Sequence, residues 1–222
     1  KEISIAIATF DKALEAMNFT SLNSYVDKFH LMTYDYLGPW GYTGHQSNLY
    51  SDSSTKAQNY EVNKWSIDHA VTQLNAAGVP KNKMVPGVAF YGRSWRGIHV
   101  PNYSKATVNS NLNSLFYKLG SGAGGGETQS GIYPYKFIKH VLKPESTPIN
   151  VTYDKFYDAT LGGCILYSPQ RQEFISYDCP EVVEQKAAYV KDNQLGGVII
   201  WELSQDDGDL MEAIYKGYDI IP

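Results

Sequence analysis

Four short apolar segments, residues 3–8, 28–34, 84–91 and 196–203, limit what this chain can fold into. Each is rich in β-branched and apolar residues and reads as a buried strand of a parallel sheet. Between the second and third, Ile67, Ala70, Val71, Leu74 and Ala77 recur at helical spacing, and Gly78 then Pro80 stop the helix. The segment 180–194 repeats the arrangement, with Pro180 at its start, Val183, Ala187 and Val190 on one face, and Gly196 and Gly197 leading into the fourth strand. Residues 207–217 follow as a further helix with an acidic first turn, which suits the helix dipole. Strand alternating with helix predicts a parallel α/β sheet.

Residues 96–163 break this rhythm. They hold a glycine-rich run at 120–126, a predicted helix at 134–142 and short strand-like pieces that continue through Gly163–Ser168 and Glu173–Tyr177. This stretch reads as an α+β insertion between the third and fourth strands. The glycine run lacks a Gly-Lys-Ser/Thr ending and does not join a strand directly to a helix, so it is a loop and not a phosphate cradle.

A chain of 222 residues with 43% hydrophobic and 19% charged content can bury a sizeable core in one domain or slightly more. Its net charge is −4, with Lys and Arg scattered, so it offers no stripe for a phosphate backbone and nucleic acid is not an expected partner. The apolar runs fall far short of the roughly 20 residues of a membrane helix, so no membrane is expected either. No Cys, His or carboxylate cluster has metal-ligand spacing, and no metal or organic cofactor is expected. Cys164 and Cys179 bracket an expected hairpin, which allows one disulfide as readily as two buried thiols. Asn18, Asn102 and Asn150 each open an Asn-x-Ser/Thr sequon, a glycan acceptor if a eukaryote secretes the protein. Lys1 opens almost directly into a strand, without an initiator Met or a signal peptide, so the chain reads as a fragment or a processed product.

The compositional outlier is aromatic: 18 Tyr and 4 Trp exceed what a core requires. Such rings either fill layers between elements or stack on the apolar face of a sugar. In a parallel barrel, ligand-contacting residues collect at the C-terminal ends of the strands. The second strand ends in Met32-Thr33-Tyr34-Asp35, with Met32 and Tyr34 on one face and Asp35 at the lip. The third runs on to Tyr91-Gly92-Arg93, where glycine permits close approach of a ligand. The fourth ends in Trp201. Singly each is an ordinary strand end; together they suggest a carbohydrate cleft.

These segments resemble the successive signatures of the chitinases of glycoside hydrolase family 18. The similarity rests on Met32 to Tyr36 with Gly38 and Trp40, on Gly87 to Trp95, on Ile175 to Asp178 before Pro180, and on Gly196 to Trp201, all in the family's order. It implies the C-terminal half of a (β/α)8 TIM barrel, with an α+β subdomain inserted between strands seven and eight. The expected divisions are residues 1–95 for barrel strands five to seven, 96–177 for the insertion, and 178–222 for the last strand and closing helix. Carried over by position, Trp201 would floor the cleavage subsite, Met32, Tyr34 and Asp35 would line it, and Tyr91 and Arg93 would contact the neighbouring sugar. Tyr34 and Asp35 would hold the substrate's N-acetyl group, whose own carbonyl attacks the anomeric carbon in this family's substrate-assisted, retaining hydrolysis of β-1,4 bonds.

The family's proton donor is the Glu closing an Asp-x-x-Asp-x-Asp-x-Glu signature on barrel strand four, and no stretch of this sequence matches it. Glu202 adjoins Trp201, but strand alternation turns it away from the face that Trp201 uses. This chain alone is therefore expected to bind chitin or N-acetylglucosamine oligomers without cutting them. Half a barrel also leaves two sheet edges and an apolar layer in need of cover, by an N-terminal half or by self-association. Three readings follow: part of a secreted, extracellular chitinase; a non-hydrolytic chitin-binding or lectin-like relative; or a fragment with no ligand.

Overall fold

A computed structural model describes residues 1–52, 64–122, 124–125, 129–142 and 151–220. Asn150 and part of the glycine run lie outside the described residues. The first half holds β1 (Ser4–Ala8), α1 (Asp11–Glu15), α2 (Phe19–Leu22), β2 (Lys28–Met32), α3 (Ile67–Ala76), β3 (Met84–Ala89) and β4 (Tyr91–Arg96). The middle holds α4 (Lys105–Ser110), β5 (Ser121–Gly122), β6 (Gly124–Gly125), β7 (Gln129–Ser130), β8 (Ile132–Pro134), α5 (Tyr135–Val141), β9 (Asp154–Asp158), β10 (Gly163–Ser168) and β11 (Glu173–Tyr177). The chain closes with α6 (Pro180–Asp192), β12 (Ile199–Trp201) and α7 (Asp209–Gly217).

Four strands form an open parallel sheet in the order β1-β2-β3-β12. Helices cover its outer side: Ile7, Phe29, Leu31 and Met84 pack against Leu14, Phe19, Ile67, Val71 and Leu74 from the helices. This is the expected partial (β/α)8 arrangement, an arc of parallel strands and not a closed barrel. The expected helices stand where their signals lie. Ser66 caps α3 by accepting from the His69 amide at 3.0 Å, and Gly78, at φ +84°, takes the left-handed conformation beyond the helix end.

The second sheet runs β5-β4-β11-β10-β9, with β8 also pairing β4. Its pairings are antiparallel. Here the structure corrects the strand ends read from sequence. The third barrel strand stops at Ala89, and Tyr91–Arg96 is a central strand of the second sheet. The second and fourth barrel strands are also shorter than expected, ending at Met32 and beginning at Ile199. Burial hides the change of sheet from the sequence, because β3 and most of β4 are equally buried. Cys164 and Cys179 form a disulfide at the base of the β10–β11 hairpin.

A buried ion pair joins the two sheets. The Lys186 ammonium of α6 donates to both Asp178 carboxylate oxygens, at 2.7 and 2.6 Å, with each residue 1% exposed. Asp178 Oδ1 also accepts from the Ser47 hydroxyl at 2.6 Å, and Oδ2 accepts from the Ala89 amide, where β3 ends, at 3.0 Å. Burial pulls Lys186 below its ordinary lysine value, against the pull of the Asp178 charge. Removing one charge strands the other in a dry interior. Lys186→Met is therefore expected to cost about 3–5 kcal/mol of folding free energy, and the double change with Asp178→Asn to recover most of it. Urea denaturation checks this; a loss below about 1 kcal/mol for Lys186→Met would show that the pair contributes no more than a surface contact.

Candidate active site

β2 alternates Phe29 and Leu31, buried against the helices, with His30 and Met32, which face a cavity. The pairing with β3 formally ends at Leu31 opposite Pro86, but the Thr33 side chain carries it on to Gly87. Its hydroxyl donates to the Gly87 carbonyl and accepts from the Gly87 amide, each at 2.9 Å. This sets the Tyr34 ring over β3 at Gly87, where a Cβ would lie 2.5 Å from the ring and 2.8 Å from the Leu31 carbonyl. Only glycine leaves the room.

Asp35 then departs from strand geometry with φ at +60°, a conformation uncommon for a residue with a side chain. The turn aims its carboxylate at β4. Tyr91 donates its hydroxyl to Asp35 Oδ1 at 2.6 Å, Arg93 Nε donates to the same oxygen at 2.7 Å, and Arg93 Nη2 donates to Oδ2 at 2.7 Å. Because Gly92 intervenes, Tyr91 and Arg93 share one face of β4 and reach the same carboxylate. The Arg93 guanidinium also lies 5.0 Å from the Trp40 ring centre and 5.4 Å from that of Tyr91, within cation–π range. Tyr34 meets Tyr91 edge-to-face, with ring centres 6.2 Å apart.

Charge and burial act together on these groups. Burial, then the Asp35 charge, pushes the Tyr91 hydroxyl far above the ordinary phenol range, so it remains a donor at any physiological pH. Burial and the same charge raise Tyr34. Burial alone would lower Arg93, but the Asp35 carboxylate reverses this and holds the guanidinium above its ordinary value. Asp35 keeps 35% of its side chain exposed against 14% for Arg93. Among the described residues its Oδ2 accepts one donor, which leaves capacity for a donor from a ligand.

All six residues singled out from sequence, Met32, Tyr34, Asp35, Tyr91, Arg93 and Trp201, line one open cavity of about 720 Å³. His30, Ile132 and Gln205 line it too, and the strand-end pattern did not single them out. His30 could have been found by continuing the Met32–Tyr34 parity back along β2. Ile132 comes from β8 in the insertion, which no barrel argument reaches. Trp201 is 57% exposed at the rim. Glu202 is not among the lining residues; its carboxylate accepts from the Ser204 hydroxyl at 2.5 Å just past the end of β12. Among the described residues, the one cluster with metal-ligand proximity is Cys164, Cys179 and Glu181, whose two sulfurs are already joined in the disulfide.

The arrangement combines exposed aromatic surface, a carboxylate fixed by three donors and an adjacent tyrosine hydroxyl, which suits an amide-bearing ligand with an apolar face. The chain is 31% identical over 215 residues to the chitinase of Autographa californica nuclear polyhedrosis virus, an alignment covering 96% of this chain and 35% of that protein. It is 32% identical over 206 residues to chitinase 1 of Aphanocladium album, covering 91% of the chain and 41% of the relative. The catalytic domain of the psychrophilic chitinase B from Arthrobacter TAD20 superposes with a TM-score of 0.76 at 27% identity, covering 97% of this chain and 45% of that one. The chain thus spans about a third of the length of the viral relative. The family model for glycosyl hydrolases family 18 matches residues 1–206, and the chain belongs to that family.

Proposed function

We propose that this chain forms the acetamide-orienting and sugar-stacking wall of a chitin-binding cleft, serving hydrolysis of β-1,4 bonds in the complete protein. The observation that carries this reading is the Asp35 carboxylate, locked by Tyr91 and Arg93 yet exposed to the cavity beside Tyr34. In substrate-assisted retention, the substrate's acetamide oxygen must lie within about 3–3.5 Å of the anomeric carbon. Asp35 Oδ2 accepts the acetamide N–H, which fixes the group's direction and offsets the positive charge that grows on it. The Tyr34 hydroxyl, kept protonated, donates to the acetamide oxygen. Trp201 stacks under the sugar ring, and Met32 fills the space beside it.

The general acid is not assigned to any residue of this sequence, which has no Asp-x-x-Asp-x-Asp-x-Glu match. It comes from an N-terminal half-barrel, which also covers the open edges of β1 and β12; another copy of the chain could cover those edges but carries no such signature. Secretion is consistent with the Cys164–Cys179 disulfide, a bond that persists in oxidising compartments. The missing acid equally favours a second reading, a chitinase-like lectin that binds without cutting.

Calorimetric titration with N-acetylglucosamine oligomers tests the binding wall. Trp201→Ala is expected to weaken binding about tenfold, or ~1.4 kcal/mol; no binding by folded parent protein would sink the proposal. A fluorogenic chitobiose substrate separates the two readings. This chain alone is expected to give no turnover and the complete protein to turn over. Asp35→Asn in the complete protein should lower kcat by roughly 10²–10³. A complete protein that binds but never cuts would be the lectin.

A further inference from the structure

Gln46 stands in the loop between β2 and α3, outside the cavity and 0% exposed. Three of its groups reach Tyr91 itself and the residues beside Asp35 and opposite Arg93. Its carbonyl accepts from the amide of Tyr36, the residue after Asp35, at 2.9 Å. Its side-chain Nε2 donates to the carbonyl of Tyr91 at 2.8 Å. Its own amide donates to the Ser176 hydroxyl at 2.9 Å, and Ser176 lies opposite Arg93 in the β4–β11 register.

We propose that Gln46 is a positioning residue that sets the Asp35 carboxylate against Tyr91 and Arg93. Two observations favour this over a space-filling role. Asp35 holds a positive φ, which persists only where surrounding contacts over-determine it, and the Gln46 carbonyl fixes the backbone on its C-terminal side. Gln46 Oε1 is buried without a hydrogen-bond partner among the described residues, a cost that an apolar side chain of similar size avoids. What the buried amide does contribute is the donor to the Tyr91 carbonyl. The hydrogen bond fixes the backbone of the residue whose hydroxyl, at the far end of its ring, meets Asp35 at 2.6 Å. The catalytic meaning of this alignment rests on the function proposed above; the alignment itself does not.

The test therefore begins without substrate. Arg93 Nε–H, bonded to Asp35 Oδ1, is expected to exchange slowly with solvent while the network holds, and nitrogen-15 NMR reads that rate directly. Gln46→Leu removes the donor and is expected to speed the exchange about tenfold or more. Gln46→Glu keeps shape and volume and covers the case in which the leucine variant fails to fold. When ionised, the introduced carboxyl cannot donate to the Tyr91 carbonyl; when protonated, it can. Relative to the parent at the same pH, protection in Gln46→Glu is expected to fall as pH rises through the introduced group's titration and to return on acidification, which space-filling alone does not produce. Exchange within twofold of the parent in Gln46→Leu overturns the proposal, as does a loss in Gln46→Glu that acid does not reverse. Oligosaccharide titration of the same variants separates the two claims. Parent protein that binds nothing while the exchange rates shift as expected defeats the chitin assignment and leaves the positioning role standing.

Discussion

The structure depends on one buried carboxylate. Asp178 follows the last strand of the second sheet, yet it bonds the amide of Ala89, the last residue of β3 before the chain leaves the barrel. The whole excursion through β4 to β11 thus starts and finishes at one point, clamped by Lys186 from α6 and Ser47 from the loop after β2. Such a charge is expensive to bury alone and tolerable only with all its donors in place. Asp35 follows a strand of the first sheet and Tyr91 lies in a strand of the second, and this junction gives them a fixed relation.

Within that frame the cavity gains a carboxylate whose position is set by donors on a neighbouring strand. Arg93 grips Asp35 through two parallel N–H bonds, the geometry in which guanidinium and carboxylate match best, while Trp40 covers the guanidinium. The result is an acceptor held rigid by the protein before any ligand arrives, so little ordering is left for binding to supply. Gly87 and Thr33 do the same for Tyr34 with no charge involved, one by leaving room and the other by extending a ladder past its formal end.

Much of this was legible in the sequence, for reasons that differ from element to element. The four barrel strands and α3, α6 and α7 announce themselves through period and punctuation, because each buries one side of a repeating element. Tyr34, Asp35, Tyr91, Arg93 and Trp201 were legible as strand ends, where a parallel sheet collects its chemistry. The switch of sheets after Ala89 was not, since Phe90 and Tyr91 are as apolar and as buried as the strand before them. The bond from Arg93 to Asp35 was not either: the two were assigned to neighbouring sugars, and only the left-handed turn at Asp35 brings the carboxylate across. Gln46 carries no signal at all, because its importance lies in three partners dispersed along the chain.

The pairing of β12 with β3 sets an order on how the molecule is made. Gly87 and Ile199 are partners in adjacent parallel strands, yet the entire second sheet and α6 lie between them in the chain. Contacts between residues so distant form late, whereas the β10–β11 hairpin needs only its own neighbours. A chain emerging from its N-terminus can complete the first three barrel strands and the second sheet before β12 exists. Trp201, at the rim of the cavity, is then the last of the six cavity residues named from the sequence to be made, after the scaffold beneath it.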